Sequence, residues 1–285
     1  MNALIHFFGS GLAFFVGIAL IGGSLTIRIS RWRRFGTGAT LLAVFGLFLV
    51  VLSAVPVPYW LLGFGIVVTI IWLWLERRPE NRGRREVRLA VAASWLTALA
   101  IEIPYQVVPT PPPVSHPRLF VIGDSVSAGM GTEKETWPRI LASRHSIEVI
   151  DHSRMGATAA SALQQAARLP EEGGVVLIEI GGNDLLGETS SSAFAEHLEQ
   201  LLQRVCRQGR TIVMLELPLI PFANEFGRAQ RRLAARYGVA LVPRRIFADV
   251  LAGTDATIDS IHLSRNGHEL MAEVVWRVIA PAYSR

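Results

Sequence analysis

Four short stretches in the second half of the chain carry residue types that can do chemistry together. Gly123-Asp124-Ser125 follows the apolar run Leu119-Phe120-Val121-Ile122, and Gly156 stands in a later polar stretch. Gly181-Gly182-Asn183-Asp184 follows Val175–Ile180 directly, and Asp259-Ser260-Ile261-His262 precedes the last amphipathic segment. A serine hydroxyl is a weak nucleophile until a neighbouring base takes its proton. Imidazole, which ordinarily titrates near 6.5, is the natural base. Asp259, three residues before His262, is placed to accept from the other ring nitrogen, fixing the tautomer and stabilising the imidazolium. Capping the next helix is the competing role for Asp259, but Ser264 is better placed for it. Ser125, His262 and Asp259 are therefore the expected catalytic residues of an acyl-transfer reaction that proceeds through an acyl-enzyme. Asp184 is expected to orient its loop.

The elements around these residues must hold them at one edge of a fold. Leu119–Ile122, Glu148–Ile150, Val175–Ile180, Ile212–Leu217 and Val239–Val242 read as strands with helices between them. The uninterrupted apolar run Val175-Val176-Leu177-Ile178 suits a strand covered on both faces, hence a parallel sheet of about five strands between helical layers. Active sites of such sheets lie at the C-terminal strand ends, where Ser125 and Asn183 fall. The elbow Gly-x-Ser-x-Gly is absent around Ser125, which argues against the α/β-hydrolase fold.

The four stretches, in this order, resemble the SGNH hydrolases, also called GDSL esterases and lipases. The resemblance spans about residues 118 to 280. Within that family Gly123-Asp124-Ser125-Val126-Ser127-Ala128-Gly129 looks most like the thioesterase, lysophospholipase and arylesterase branch. The resemblance implies a three-layer α/β/α, flavodoxin-like domain. It also implies an oxyanion hole made of the backbone N–H groups of Ser125 and Gly156 and the side-chain amide of Asn183.

The first third is of another kind. Residues 1–27 contain no charged side chain, and 41 uncharged residues lie between Arg34 and Glu76, interrupted by Pro56-Val57-Pro58 beside Tyr59-Trp60. A bilayer core of about 30 Å needs about 20 apolar residues as a helix, so about four transmembrane helices are expected, over 3–27, 36–55, 59–75 and 87–106. Ala13 and Gly17 have the spacing of small residues at helix contacts. The positive charges follow the first apolar run instead of preceding it, which suits a retained anchor and not a cleaved signal. Val107 to Pro117 holds five prolines in eleven residues and reads as a stiff linker. Residues 1–106 thus form a membrane region, 107–117 a linker and 118–285 a hydrolase domain. Arginines 28, 31, 33 and 34, with 77, 78, 82, 84, 85 and 88, flank loops that the positive-inside rule puts in the cytoplasm. Both termini then face outward, and the catalytic domain is extracytoplasmic.

Charge excludes some partners. Residues 1–106 hold 10 Arg and 4 Glu, whereas residues 107–285 hold 18 basic and 19 acidic residues, so the net +5 lies wholly in the apolar region. The C-terminal part has no basic surplus for nucleic acid. One cysteine, Cys206, rules out an intrachain disulfide. His268-Glu269 begins like a zinc-protease helix but lacks the second histidine, and no phosphate or dinucleotide loop occurs, so neither metal nor cofactor is expected. The expected function is a membrane-anchored hydrolase of acyl or acetyl esters, such as lysophospholipids or short-chain esters, with an acyl-ester substrate and the lipid bilayer as partners. An O-acetyl esterase or acyltransferase acting on cell-envelope glycans, and a non-catalytic membrane scaffold, are the alternatives.

Overall fold

In a computed structural model of the protein, residues 2–29, 36–78, 83–131 and 135–284 are described. Arg31, Arg33, Arg34 and Arg82, used above in the topology argument, lie outside the described residues. The chain forms two compact units. One comprises Met1–Ser10, Val107–Leu219 and Glu225–Arg285, and the other Gly11–Gln106 with Ile220–Asn224.

The first unit is built on five parallel strands, β1 (Arg118–Gly123), β2 (Glu148–Asp151), β3 (Gly174–Glu179), β4 (Arg210–Leu215) and β5 (Ala240–Val242), in the order β2-β1-β3-β4-β5. Alternate side chains leave the sheet on opposite faces. Leu119, Val121, Val175, Leu177, Val213 and Leu215 meet Trp137, Phe247, Met271 and Val275 in one apolar core. Those four come from α7 (Trp137–Arg144), α12 (Arg244–Ala252) and α13 (Arg265–Ile279). The helices α8 (Ala159–Ala166), α10 (Ser191–Val205) and α11 (Asn224–Tyr237) make up the remaining long helices of this unit. Among them α8 packs on α10 and against β1, and Phe194 of α10 packs on Phe226 of α11. All six residues of β3 are buried, as its apolar run requires. The winding reverses between β1 and β3, so the carboxyl ends of these two strands are the switch point at which sheets of this kind place their sites.

Two expectations about this unit change. The helix expected over 3–27 is broken: α1 (Asn2–Gly9) and α2 (Leu12–Ile29) are separated at Gly11, whose φ of +87° ends a helix. Within its unit α1 packs on α12, where His6 Nε2 and Asp249 Oδ1 are 2.7 Å apart. The proline-rich stretch is no free tether. Thr211 Oγ1 donates to Pro112 O at 3.1 Å and Val114 N–H donates to Ala282 O at 2.9 Å, which ties it to the domain. Prolines lack an N–H, but their carbonyls accept as well as any.

The second unit contains α2, α3 (Gly36–Leu52), α4 (Tyr59–Leu75) and α5 (Arg84–Glu102), the last prolonged by a 3₁₀ turn to Gln106. Pro56-Val57-Pro58 lies in the turn between α3 and α4. Ala13 is fully buried, and a Cβ on Gly17 would lie 2.7 Å from Gly46 O, so α2 and α3 touch backbone to backbone. Among the described residues one helix, Arg84–Gln106, is long and apolar enough by itself to cross a membrane, and α2, α3 and α4 are shorter apolar helices.

The first turn of α13 leaves no room for a side chain at Gly267. A Cβ on Gly267 would lie 2.0 Å from the carbonyl oxygen of Ala256. Gly267→Ala therefore has to displace the backbone of the loop that carries Asp259 and His262. A loss of about 1–3 kcal/mol and a Tm lower by roughly 2–12 °C are expected in calorimetry. An unchanged Tm would mean that the contact is not tight.

Candidate active site

Ser125 begins a single helical turn, α6 (Ser125–Ala128), directly beyond β1. The turn is capped by Asp124, whose Oδ1 accepts from Val126 N–H at 2.9 Å. Gly123 is clamped at both backbone atoms by the buried Gln165, with its N–H donating to Oε1 and its carbonyl accepting from Nε2, each at 3.0 Å. A side chain at 123 would collide with Ser127 Oγ at 2.5 Å, so only glycine fits beneath the turn. Ser125 itself is 6% exposed.

Asn183 lies in the one-turn helix α9 (Gly182–Leu186) beyond β3, at the β1/β3 switch point. Its Nδ2 donates to Ala157 O at 3.0 Å and to Asp124 Oδ2 at 3.2 Å, which joins the loops carrying Ser125, Gly156 and Asn183. Gly156 has φ +72°, and a Cβ there would meet nothing within 4 Å. Open space at its backbone is what an entering ligand needs. The expectation that Asp184 orients its loop accords with its contacts: buried, it accepts from Ala159 N–H at 2.8 Å and so holds the start of α8. Burial raises its pKa.

Asp259 and His262 form a self-contained turn. Asp259 Oδ1 accepts from the N–H groups of His262 at 2.9 Å and Ile261 at 3.1 Å, while Oδ2 lies 2.7 Å from His262 Nδ1. Ser260 between them has φ +82°, a left-handed conformation that holds the carboxylate and the imidazole on one side of the turn. The hydrogen bonds from the His262 backbone and then its ring pull Asp259 down to about 2. It therefore stays ionised near neutral pH and offers a charged acceptor to His262 Nδ1. His262 lies close enough to Asp124 for its charge to favour the ionised form of that carboxyl. Among the described residues no hydrogen bond joins Ser125 Oγ to His262. The capping role falls to Ser264, which accepts from Gly267 N–H at the start of α13.

One group in this site escaped the sequence reading. Glu179, the last residue of β3, is 2% exposed. Its Oε2 accepts from Ser127 Oγ at 2.8 Å and from Asp124 N–H at 3.3 Å. Its carboxyl also bonds that of Asp124. Burial, and then the Asp124 charge, push Glu179 well above the usual carboxylate range. Burial likewise raises Asp124, to about 6, against the pull of its hydrogen bonds. Two touching buried carboxyls hold one proton between them. It belongs on Glu179, which burial and the Asp124 charge push up, whereas the hydrogen bonds from Val126 N–H and from Glu179 draw Asp124 down. A charged residue closing the run Val-Val-Leu-Ile was the signal available in the sequence. His268, by contrast, is fully buried and accepts from Trp137 N–H at 3.3 Å, a core contact. Among the described residues no cluster of three metal-ligating side chains occurs. Cys206 caps the end of α10, where burial raises its thiol pKa.

A doubly covered parallel sheet with a serine turn, an Asp–His turn and an asparagine amide converging on its switch point defines a serine hydrolase of the SGNH type. The chain belongs to the GDSL-like lipase/acylhydrolase family, whose profile matches residues 121–270, just over half of its length. It is a carboxylic ester hydrolase. Esterase TesA of Pseudomonas aeruginosa is 29% identical over 181 residues, covering 57% of this chain and 88% of TesA. The thioesterase 1/protease 1/lysophospholipase L1 of Escherichia coli K12 is 26% identical over 176 residues, covering 57% and 83%. A crystal structure of TesA superposes with a TM-score of 0.52 at 27% identity, covering 58% of this chain and 99% of the other. The esterase EstA from Pseudoalteromonas sp. shares the fold, with a TM-score of 0.50 at 21% identity over 57% and 96%.

The buried carboxyl pair makes a signed prediction. Glu179 has a folded pKa well above its unfolded one, so the native state keeps a proton that the unfolded chain gives up above about pH 4.5, and stability falls as pH rises beyond that point. Glu179→Gln keeps a neutral donor for Asp124 and removes the shared proton. The difference in Tm between Glu179→Gln and wild type is expected to grow in favour of the variant from pH 4 to pH 7, with kcat within about tenfold of wild type. Glu179→Leu, which leaves Ser127 and Asp124 N–H unpaired, is expected to cost about 1–3 kcal/mol or more.

Proposed function

We propose that Ser125 is the nucleophile, His262 the general base and Asp259 its orienting partner, with Ser125 N–H, Gly156 N–H and the Asn183 amide as oxyanion donors. The observation that carries this reading is the Asp259–His262 turn. It holds an imidazole with Nδ1 committed to a carboxylate of pKa about 2, beside the loop that ends in Ser125. Ser125 Oγ attacks the ester carbonyl as its proton passes to His262 Nε2, and charge collects on the carbonyl oxygen. The Asn183 amide reaches that oxygen by sharing the N–H on its longer bond, to Asp124. Collapse expels the alcohol, which takes the proton from His262. A water deprotonated by the same nitrogen then attacks the acyl-serine, releasing the acid and restoring Ser125.

The substrate we infer is an acyl ester with an apolar chain, of the lysophospholipid or fatty-ester kind. Each loop carrying a proposed catalytic group also presents a large exposed apolar side chain: Met130 after α6, Met155 before Gly156, Leu186 after Asn183, and Ile258 and Ile261 beside Asp259 and His262. Such a rim suits an acyl chain better than an acetylated glycan. The enzyme is a multi-pass protein of the cytoplasmic membrane, with α2 to α5 as spans and the hydrolase domain outside. Support for anchoring comes from the outward apolar faces of the helical unit, where Leu41, Phe45, Phe48, Trp60, Phe64 and Ile70 are each more than half exposed. Water would not tolerate so large an apolar surface, but lipid does.

Two measurements test this. Nitrophenyl esters from acetyl to palmitoyl should be hydrolysed by the wild type with a preference for longer chains. Ser125→Ala should lower kcat by about 10⁴-fold or more. Equal rates for the two proteins would sink the assignment of Ser125, and an acetyl preference would favour the glycan reading. In the same assay Asp259→Asn should cost about 10²- to 10⁴-fold in kcat with KM nearly unchanged, because an amide facing Nδ1 imposes the wrong tautomer. A periplasm-active reporter fused after Pro113 should be active. Silence would reverse the topology.

A further inference from the structure

The helical unit contains a cavity that the hydrolase reaction does not use. It holds about 470 Å³ between α2 and α5. Ile18, Ile21, Gly22 and Leu25 line it at the i, i+3, i+4, i+7 spacing of one face of α2. Leu89, Ala92, Trp95 and Leu96 line it from α5. Ile21, Leu25 and Trp95 are buried and form its floor, while Leu89 and Leu96 are more than 60% exposed and stand as its outer walls. Glu76 lies by Arg28 near the end of α2 and by Arg88 near the start of α5, so the two helices run antiparallel here. The lining therefore changes character along its length, from Ile18 with Leu96 at one end to Thr26, Arg85 and Arg88 at the other. From Arg85 to Leu96 the slot follows α5 for about 16 Å at 1.5 Å per residue.

Charge singles out the occupant. At the polar end Arg28 and Arg88 share the single carboxylate of Glu76, and Arg85 is exposed with no acidic partner among the described residues. Arg84, next to it, bonds the carbonyls of Leu75 and Arg78. Three guanidinium groups against the carboxylates of Glu76 and of Glu86, exposed on the same turn of α5, still leave a surplus of positive charge at the mouth of an apolar slot. Guanidinium binds phosphate oxygens in pairs, and basic pockets between membrane helices take anionic headgroups.

We propose that this slot is a binding site for one anionic phospholipid, with an acyl chain along Ile21, Leu25, Leu89 and Trp95 and its phosphate at Arg85 and Arg88. The proposal rests on the reading that α2 to α5 cross a bilayer. The slot belongs to the helical unit and Ser125 to the hydrolase unit, and the lipid is a bound component, not a substrate.

Gly22 supplies the decisive variant. It lines the slot, and a Cβ placed on it meets nothing within 4 Å, so a larger side chain can grow into the space without displacing the helix. The full chain is first tested for flotation with vesicles. It is then purified in detergent with equimolar phosphatidylglycerol and phosphatidylcholine, and bound lipid is read by native mass spectrometry. Flotation, followed by retention of one phosphatidylglycerol in clear excess over phosphatidylcholine, is the expected result. Gly22→Phe should lose the bound lipid while keeping its Tm in detergent and its esterase activity, and Gly22→Ala should retain it. Arg85→Gln should weaken the preference by about fivefold, the equivalent of one basic group near an anionic headgroup. Failure to float overturns the membrane reading and this site with it. In a protein that floats, equal retention of the two lipids, retention of a free fatty acid instead, or undiminished lipid in Gly22→Phe overturns the site alone.

Discussion

The hydrolase unit depends on how β1 is allowed to end. It is a central strand, paired with β2 on one side and β3 on the other, and its backbone must turn out of the sheet within two residues of Ile122 to present Ser125. Gly123 makes that possible because no side chain fits between it, Ser127 and Glu179. Gln165 takes up both of its backbone groups, so the turn carries no unpaired donor or acceptor at that point. Once the turn is fixed, Asp124 reaches Asn183 and Asn183 reaches Ala157. The three loops that meet at the β1/β3 switch point are then held by hydrogen bonds between elements distant in sequence.

That dependence explains what the sequence could and could not disclose. The strands were legible because burial on both faces requires continuous apolar runs, and all five observed strands overlap the expected ones. Ser125, Asn183, Asp259 and His262 were legible as types with known chemistry in a recognisable order. Glu179 and Gln165 were not. Their roles consist of contacts with Asp124 and Gly123, formed by the packing of β3 and α8 against β1, and no local pattern encodes such contacts. The break at Gly11 was missed for a related reason. Hydropathy is continuous across it, and a glycine in an apolar run reads as a tolerated helix residue unless its φ is known. The proline-rich stretch read as a linker because composition reports stiffness but not what a carbonyl such as that of Pro112 will accept from.

The helical unit obeys different rules, and its sequence signals differ accordingly. Its interior is made by small residues that let backbones meet, as at Gly17 and Gly46, and by aromatic residues over glycines, as where the Trp95 ring covers Gly65. Trp95 Nε1 donates to Thr69 Oγ1, and Thr69 in turn donates to Gly65 O, so the one polar group of the indole is paired inside the unit. Among its described arginines, Arg28 and Arg88 meet Glu76 at helix ends, and the whole net positive charge of the chain belongs to this part of the sequence. The high pI is thus a property of residues 1–106, and it says nothing of the catalytic surface.

Within the site, two aspartates are driven in opposite directions by their surroundings. Asp259 is exposed, accepts three hydrogen bonds and is held near 2. Asp124 is buried beside a second acid and is raised to about 6. A carboxylate that stays ionised near neutral pH is a constant acceptor for the ring nitrogen that faces it. A carboxylate kept ionised in a buried place costs folding stability, and the neutral Glu179 beneath it offsets part of that cost by donating its proton. The return is geometric. Asp124 as an ionised acceptor orients the Asn183 amide through a bond of 3.2 Å, which the proposed reaction requires to be shared when charge appears on an ester oxygen. A tighter bond would hold the amide more firmly but, in the reaction proposed above, would withhold its N–H, so under that proposal some stability is traded for a donor that is both aimed and available.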